Sequence, residues 1–117
     1  MAENKSWEIL AKSQSYKQRR GKIRNSLLKH LEVKDAKREP FLDIVEQYMS
    51  LWDTACQLEL DISERGVVVV GMHGMKKNDS VPEQQKVNKQ MLSILAYLDM
   101  NPEAAADVTG GDIDDTV

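Results

Sequence analysis

Apolar positions along this 117-residue chain fall at helical spacing in three stretches and in an unbroken β-branched run in one. The longest helical stretch lies between Pro40 and Arg65. At about 100° per residue, Phe41, Leu42, Ile44, Val45, Tyr48, Met49, Leu51, Trp52, Ala55, Cys56, Leu58, Leu60 and Ile62 share an arc roughly 200° wide. Asp43, Glu46, Gln47, Ser50, Asp53, Thr54, Gln57, Asp61 and Glu64 fill the opposite side, and only Glu59 and Ser63 project from the apolar arc. Pro40 suits the opening position, where its missing N–H is not needed. Gly66 suits the left-handed residue after a helix end, and the Arg65 cation suits the negative end of the dipole.

Upstream, from about Lys17 to Val33, Ile23, Leu27 and Leu31 recur every fourth residue with Leu28 beside them, a narrow stripe on an otherwise basic helix. Residues 1–15 hold Trp7, Ile9 and Leu10 without a sustained period and are assigned no fixed structure, an arm or a short helix that orders on a neighbour. Downstream, Val67 to Val70 resist helix and favour strand. Gly71-Met72-His73-Gly74 turns the chain and Met75 to Asn78 return it, which predicts a short β-hairpin. Ser80-Val81-Pro82-Glu83 has the form of a capping box, with Ser80 as N-cap and Glu83 reaching back. The helix it opens carries Val87, Met91, Ile94, Leu95 and Leu98 on one side, runs to about Met100 and stops at Asn101-Pro102. The predicted fold is mainly α: a basic N-terminal helix, a long central helix, a short β-hairpin and a C-terminal helix that completes a helical hairpin. In segments, this is an arm at 1–15, a basic helical segment at 16–39, a helical hairpin at 40–100 with its β-hairpin at about 67–78, and a flexible acidic tail at 101–117.

Composition agrees, with 5% aromatic and 30% charged residues. No apolar run reaches the roughly 18 to 20 residues of a membrane span, and MAENKSWEIL lacks the apolar core of a secretory signal. One cysteine cannot make an internal disulfide, so the expected location is the cytoplasm. The net charge of −3 conceals an asymmetry: residues 1–39 hold eleven Lys or Arg against five acids, and residues 40–117 hold five against fourteen. No acid stands between Glu8 and Glu32, while Lys12, Lys17, Arg19, Arg20, Lys22, Arg24 and Lys29 are basic. Such a face either lies solvated or meets an anionic partner, with nucleic acid the first candidate. Lys76 and Lys77 on the hairpin add a smaller positive site.

Catalytic chemistry finds little to work with. His30 and His73 sit on different elements, and with Cys56 they assemble no zinc set of ordinary spacing. Gly71-x-x-Gly74 lacks the Gly-Lys-Ser/Thr ending of a phosphate loop, and Cys56 on the apolar arc reads as an inert core thiol. No metal or cofactor is called for, and the chain reads as a binding protein rather than an enzyme.

Four segments then stand out together: Tyr48-Met49-Ser50-Leu51-Trp52-Asp53, Asp61-Ile62-Ser63-Glu64-Arg65-Gly66-Val67, Lys76-Lys77-Asn78-Asp79-Ser80-Val81 and Val87-Asn88-Lys89-Gln90-Met91-Leu92. In order and spacing, with Lys17-Gln18-Arg19-Arg20 leading into the basic helix, they closely resemble the small terminase subunits of tailed phages and prophages, over about residues 7–100. The resemblance implies a non-enzymatic, ring-forming homo-oligomer in the host cytoplasm. It would bind viral double-stranded DNA and hand it to a large subunit holding the ATPase and nuclease. It also implies the helical hairpin as the assembly core and carries over no active-site residues.

On the residues themselves, the candidate DNA contacts are Lys17, Arg19, Arg20, Lys22, Arg24 and Lys29, with Lys76 and Lys77 next. A 200° arc is wider than one partner helix covers. Its edges, Leu51 and Leu58 on one side and Leu42, Met49 and Leu60 on the other, are therefore the candidate subunit interface, with Trp52 and Tyr48 at the centre facing the last helix. Two rival readings stay open at this point: a sigma-like or other small helical transcription regulator, and a structural adaptor with no nucleic-acid role.

Overall fold

A computed structural model of the chain describes residues 5–100, so the acidic tail expected at 101–117 lies outside the described residues. The order is α1 (Lys5–Lys12), α2 (Gln14–Val33), α3 (Phe41–Arg65), β1 (Val68–Gly71), β2 (Gly74–Lys77) and α4 (Ser80–Tyr97). The mainly helical fold with one antiparallel hairpin is the one the periodicity predicts. β1 and β2 pair in the register Val68 with Lys77, Val69 with Lys76, Val70 with Met75 and Gly71 with Gly74.

Two local features differ from the sequence reading. Residues 5–12, with no sustained period, form α1 and dock on the next helix, where Trp7 meets Tyr16 edge to face at 5.5 Å. Ser13 separates the two helices: its hydroxyl accepts from the Tyr16 N–H and donates to the Leu10 carbonyl. The capping box at α4 does not form. Ser80 is already helical and its hydroxyl donates to Asp61, while the Asn78 side chain takes up the Ser80 N–H and Glu83 pairs with Lys86. Asn78 reaches two residues ahead in an Asx turn, which satisfies the same orphan donor that an N-cap would.

Both α2 and α4 end on a left-handed aspartate. Asp35 (φ 56°) and Asp99 (φ 59°) each let the following N–H, of Ala36 and Met100, reach back to the carbonyls of Leu31 and Leu95. This is the Schellman arrangement with Asp in the place glycine usually takes. It stops α4 before Asn101-Pro102 is reached.

α3 is the central element. α2 crosses its N-terminal half, and α4 runs antiparallel along it after the hairpin. The core sits at that crossing: Leu27 and Leu31 of α2, Val45, Tyr48, Met49 and Trp52 of α3, and Leu98 just past α4. Beyond it, the buried apolar set among the described residues gains only Val87. The Cα radius of gyration is 17.0 Å, against about 13 Å for a globule of this length. This elongated shape encloses few of its own side chains.

Candidate nucleic-acid and assembly surfaces

The six candidate cations of α2 divide into two groups by the direction they face. Arg20 donates from Nε and Nη2 to both oxygens of Asp53 on α3, at 2.9 and 3.0 Å, and the Tyr16 hydroxyl donates to the same carboxylate. Arg24 donates to Glu46 at 2.9 and 2.6 Å. These two cations therefore pair α2 with α3. No acid lies within reach of them along their own helix, so only the helix crossing could reveal the pairing. Burial, then Asp53, holds the Tyr16 phenol protonated with its pKa well above the usual value. Lys17, Arg19, Lys22 and Lys29 are exposed, and among the described residues none of them is in an ion pair.

On the hairpin, neighbouring strand residues point to opposite faces, so Lys76 and Lys77 do not make one positive site. Lys77 shares a face with Val68, while Lys76 shares one with Val69 and reaches Asp79 at 3.5 Å. The face with Lys77 also carries Val68, Val70 and Met75, which are 49%, 79% and 67% exposed, and Met72 stands at the tip. Among the described residues, nothing covers this apolar sheet face.

Of the candidate interface positions, Met49 is a correction. It is 0% exposed inside the core, enclosed by α2 on the side expected to meet a neighbour. Leu42, Leu51, Leu58 and Leu60 are half-buried. Trp52 faces not only α4: the Tyr16 ring of α2 lies 5.2 Å from it.

Past that point an open groove of about 800 Å³ remains between α1, the start of α2, α3 and α4, lined by Leu10, Tyr16, Arg19, Trp52, Cys56 and Met91. Glu59 and Ser63, the two polar residues on the apolar arc, line the same groove and are exposed. Their polarity fits a stretch of the arc that no helix seals. Burial pushes the Cys56 thiol pKa up, with Glu59 and Asp53 adding to it and Arg19 opposing, which favours the thiol over the thiolate.

The structure also assembles a polar cluster that neither periodicity nor motif reading singles out. Asn78 is fully buried at the base of the β-hairpin. Its amide donates to Asp61 at 3.1 Å and to the Gly66 carbonyl at 2.9 Å, while its oxygen accepts from Arg65 at 3.1 Å and from the Ser80 N–H at 2.9 Å. All four hydrogen-bonding positions of the side chain are filled. Asp61 accepts in addition from Arg65 at 2.7 Å and from the Ser80 hydroxyl at 2.7 Å. Arg65 first, then Ser80 and Asn78, hold its carboxyl well below the usual carboxylate range. The cluster locks the end of α3 to the start of α4 across the hairpin. Its members fall within Asp61–Val67 and Lys76–Val81, two of the segments that carry the family resemblance.

At the other end of the hairpin, His30 of α2 is fully buried and its Nε2 lies 2.7 Å from the Leu98 carbonyl. A carbonyl only accepts, so the proton is on Nε2. Lys34 donates to Asp99 at 2.7 Å beside it, and these two bonds tie the end of α4 to the end of α2.

Comparison with known families places a match to the model described as phage terminase, small subunit, over residues 21–115. The corresponding comparisons with curated proteins and with solved structures find no match.

Proposed function

The chain belongs to the phage terminase small-subunit family and so has a role in phage DNA packaging, within which we propose that it engages viral double-stranded DNA and delivers it to the large subunit. It acts without catalysis of its own, in the host cytoplasm, and as a ring. The match over residues 21–115 carries this reading, since it takes in α2 from Gly21 onward, the helical hairpin and the polar cluster together. The regulator and adaptor readings have no observation of their own to set against it.

The DNA surface in this reading is the exposed side of α2, with Lys22 and Lys29 outward, Lys17 on one flank and Arg19 at the rim of the groove. Few cations per chain make a weak site, and a ring makes it effective by linking many such sites. Assembly would cover the half-buried Leu42, Leu51, Leu58 and Leu60 and the apolar face of the β-hairpin. Fully burying one such side chain contributes roughly 1.5 to 3 kcal/mol, so a few of them rival the whole stability of a small domain.

Native mass spectrometry of the purified chain, paired with DNA binding across salt concentrations, tests both parts. The expected result is one closed oligomer whose DNA affinity falls steeply with salt. Leu51→Asp with Leu58→Asp should dissociate it, keep its helical content and weaken DNA binding in parallel. A stable monomer at micromolar concentration would refute the ring.

A further inference from the structure

Two apolar surfaces are left open among the described residues, and they have opposite shapes. One is raised: Val68, Val70 and Met75 share a face of the β-hairpin with Lys77, and Met72 at the tip is 91% exposed. The other is hollow, the groove between α1, the start of α2, α3 and α4, whose apolar lining includes Trp52, Cys56, Leu60 and Met91.

One chain does not bring the two together. The hairpin leaves α3 at Gly66 and returns at Asn78, and both of its ends are clamped: the Asn78 side chain donates to the Gly66 carbonyl and to Asp61, and the Asn78 N–H donates to the Val67 carbonyl. The clamp holds the hairpin beyond the end of α3, whereas the groove lies along the same helix from Trp52 to Ser63. A second copy is under no such constraint.

Length and charge both match. Trp52 to Ser63 rises about 17 Å along α3, and a four-residue strand with its turn reaches about 13 to 17 Å. Glu59 is the acid lining the groove and Arg19 the cation, and Glu59 and Lys77 are both exposed and in no ion pair among the described residues. Lys77 stands at the base of the hairpin and Met72 at its tip. With the base over Glu59, the tip points along α3 to Trp52 and Tyr16, where a thioether meets aromatic rings favourably. The reverse orientation would carry Lys77 toward Arg19.

We propose that the hairpin of one chain docks in the groove of a second copy, valine and methionine face inward, with Lys77 on Glu59 and Met72 toward Trp52. The inference deepens the ring reading above, because it names the two surfaces that meet between subunits. Hairpin and groove are different patches, so the contact runs head to tail: each chain gives a hairpin to one neighbour and receives one from the other, and an apolar end stays uncovered until the series closes. Glu59, a carboxylate on an apolar arc, then sets which way round the hairpin enters.

The test uses the full chain, with Cys56 as a reporter already in the groove. A chain carrying Cys56→Ser and Met75→Cys is produced together with the unmodified chain, and a short bismaleimide reports which thiols meet. Position 75 should join Cys56 of the other chain severalfold more than position 69 does in a Cys56→Ser, Val69→Cys chain, whose thiol lies on the opposite face of the hairpin. Equal yields from the two positions would overturn the proposal. So would an oligomer, intact by native mass spectrometry, that gives no link at position 75; the ring reading would survive that result, whereas a monomer at every concentration would sink both. A second arm reverses charge at two exposed positions. Glu59→Lys and Lys77→Glu should each raise the concentration needed for assembly a few-fold, and the two together should restore it. A double variant as weak as the weaker single one would show that the pair does not meet and overturn the orientation proposed.

Discussion

Where α2 crosses the first half of α3, seven apolar side chains are buried together and the ion pairs of Arg20 and Arg24 lie along the seam. At the hairpin end of the same helix, Val87 and Asn78 alone among the described residues are buried, and the Asp61–Arg65–Asn78–Ser80 cluster holds the chain. The two ends are stabilised by different physics. Apolar burial is non-directional and degrades gradually when a side chain is trimmed, whereas a buried polar cluster depends on every partner being present. A core of the first kind also spends its apolar surface internally. A lock of the second kind holds the geometry of the hairpin and leaves the valine and methionine face free for another molecule.

The largest expected effect lies at the core end. Met49→Ala should lower stability by about 2 to 5 kcal/mol in thermal or urea unfolding, because a fully enclosed side chain leaves a cavity that the crossing of two helices cannot close. Met75→Ala, on the exposed hairpin face, should change stability by no more than about 0.5 kcal/mol in dilute protein. A cost at Met75 that emerges only at concentrations where the protein self-associates would put the hairpin in a subunit contact. An equal cost at both positions in dilute protein would erase the contrast between the ends.

Asn78→Ala comes next, at about 1 to 3 kcal/mol, since it strands the Gly66 carbonyl and the Ser80 N–H and takes a donor from Asp61. Loss of helical content at the junction, measured by hydrogen exchange, should accompany it. Asp61 gives the same cluster a pH dependence. Its folded pKa is depressed below the unfolded value of about 3.9, so the stability it contributes is present in full above about pH 5 and drains away as pH falls toward the folded pKa. Asp61→Asn should therefore be less stable than the parent at neutral pH, and the two urea midpoints should converge in acid. Parallel curves over the whole range would place the acid sensitivity elsewhere.

How much of this was legible from the sequence depends on whether a feature is local. The helix from Pro40 to Arg65, the valine strand and the stripe of α4 are written in periodicity, and each formed within a few residues of its expected limits. The Gly66 end is equally local. Helix α1 was legible only as one of two options, an arm or a short helix, because the aromatic ring it docks on lies across the break at Ser13 and neither side has enough apolar positions to show a period. The Schellman ends at Asp35 and Asp99 carry no glycine to mark them in the sequence, although aspartate tolerates the left-handed region. Asn78 reads in the sequence as the last residue of the returning strand; its four partners come from the end of α3 and from Ser80, which no spacing rule connects. The candidate DNA surface was half legible in the same sense. The acid-free run is real, but which of its cations remain open depends on where α3 places Asp53 and Glu46.

The smallest expected effect tests that last division. The Arg20–Asp53 pair is about one-third exposed on both sides, 33% and 32%, so solvent screening limits it. Exposed pairs contribute about 0.2 to 1 kcal/mol, and a bidentate geometry belongs at the upper end of that range. Arg20→Ala should therefore cost up to about 1 kcal/mol and leave the dependence of DNA affinity on salt unchanged. Arg19→Ala, one residue away, exposed at the rim of the groove and in none of the ion pairs among the described residues, should do the reverse. Its stability should stay within about 0.5 kcal/mol of the parent, while the slope of log affinity against log salt flattens by up to about 0.9 for each engaged chain. Replacing both residues should flatten the slope no more than Arg19→Ala does alone. If Arg20→Ala instead flattens the slope as much as Arg19→Ala, the ion pair opens on DNA and the side of α2 that faces α3 is turned to phosphate in the complex. The crossing that buries the core would then be the part of the molecule that moves when DNA is bound.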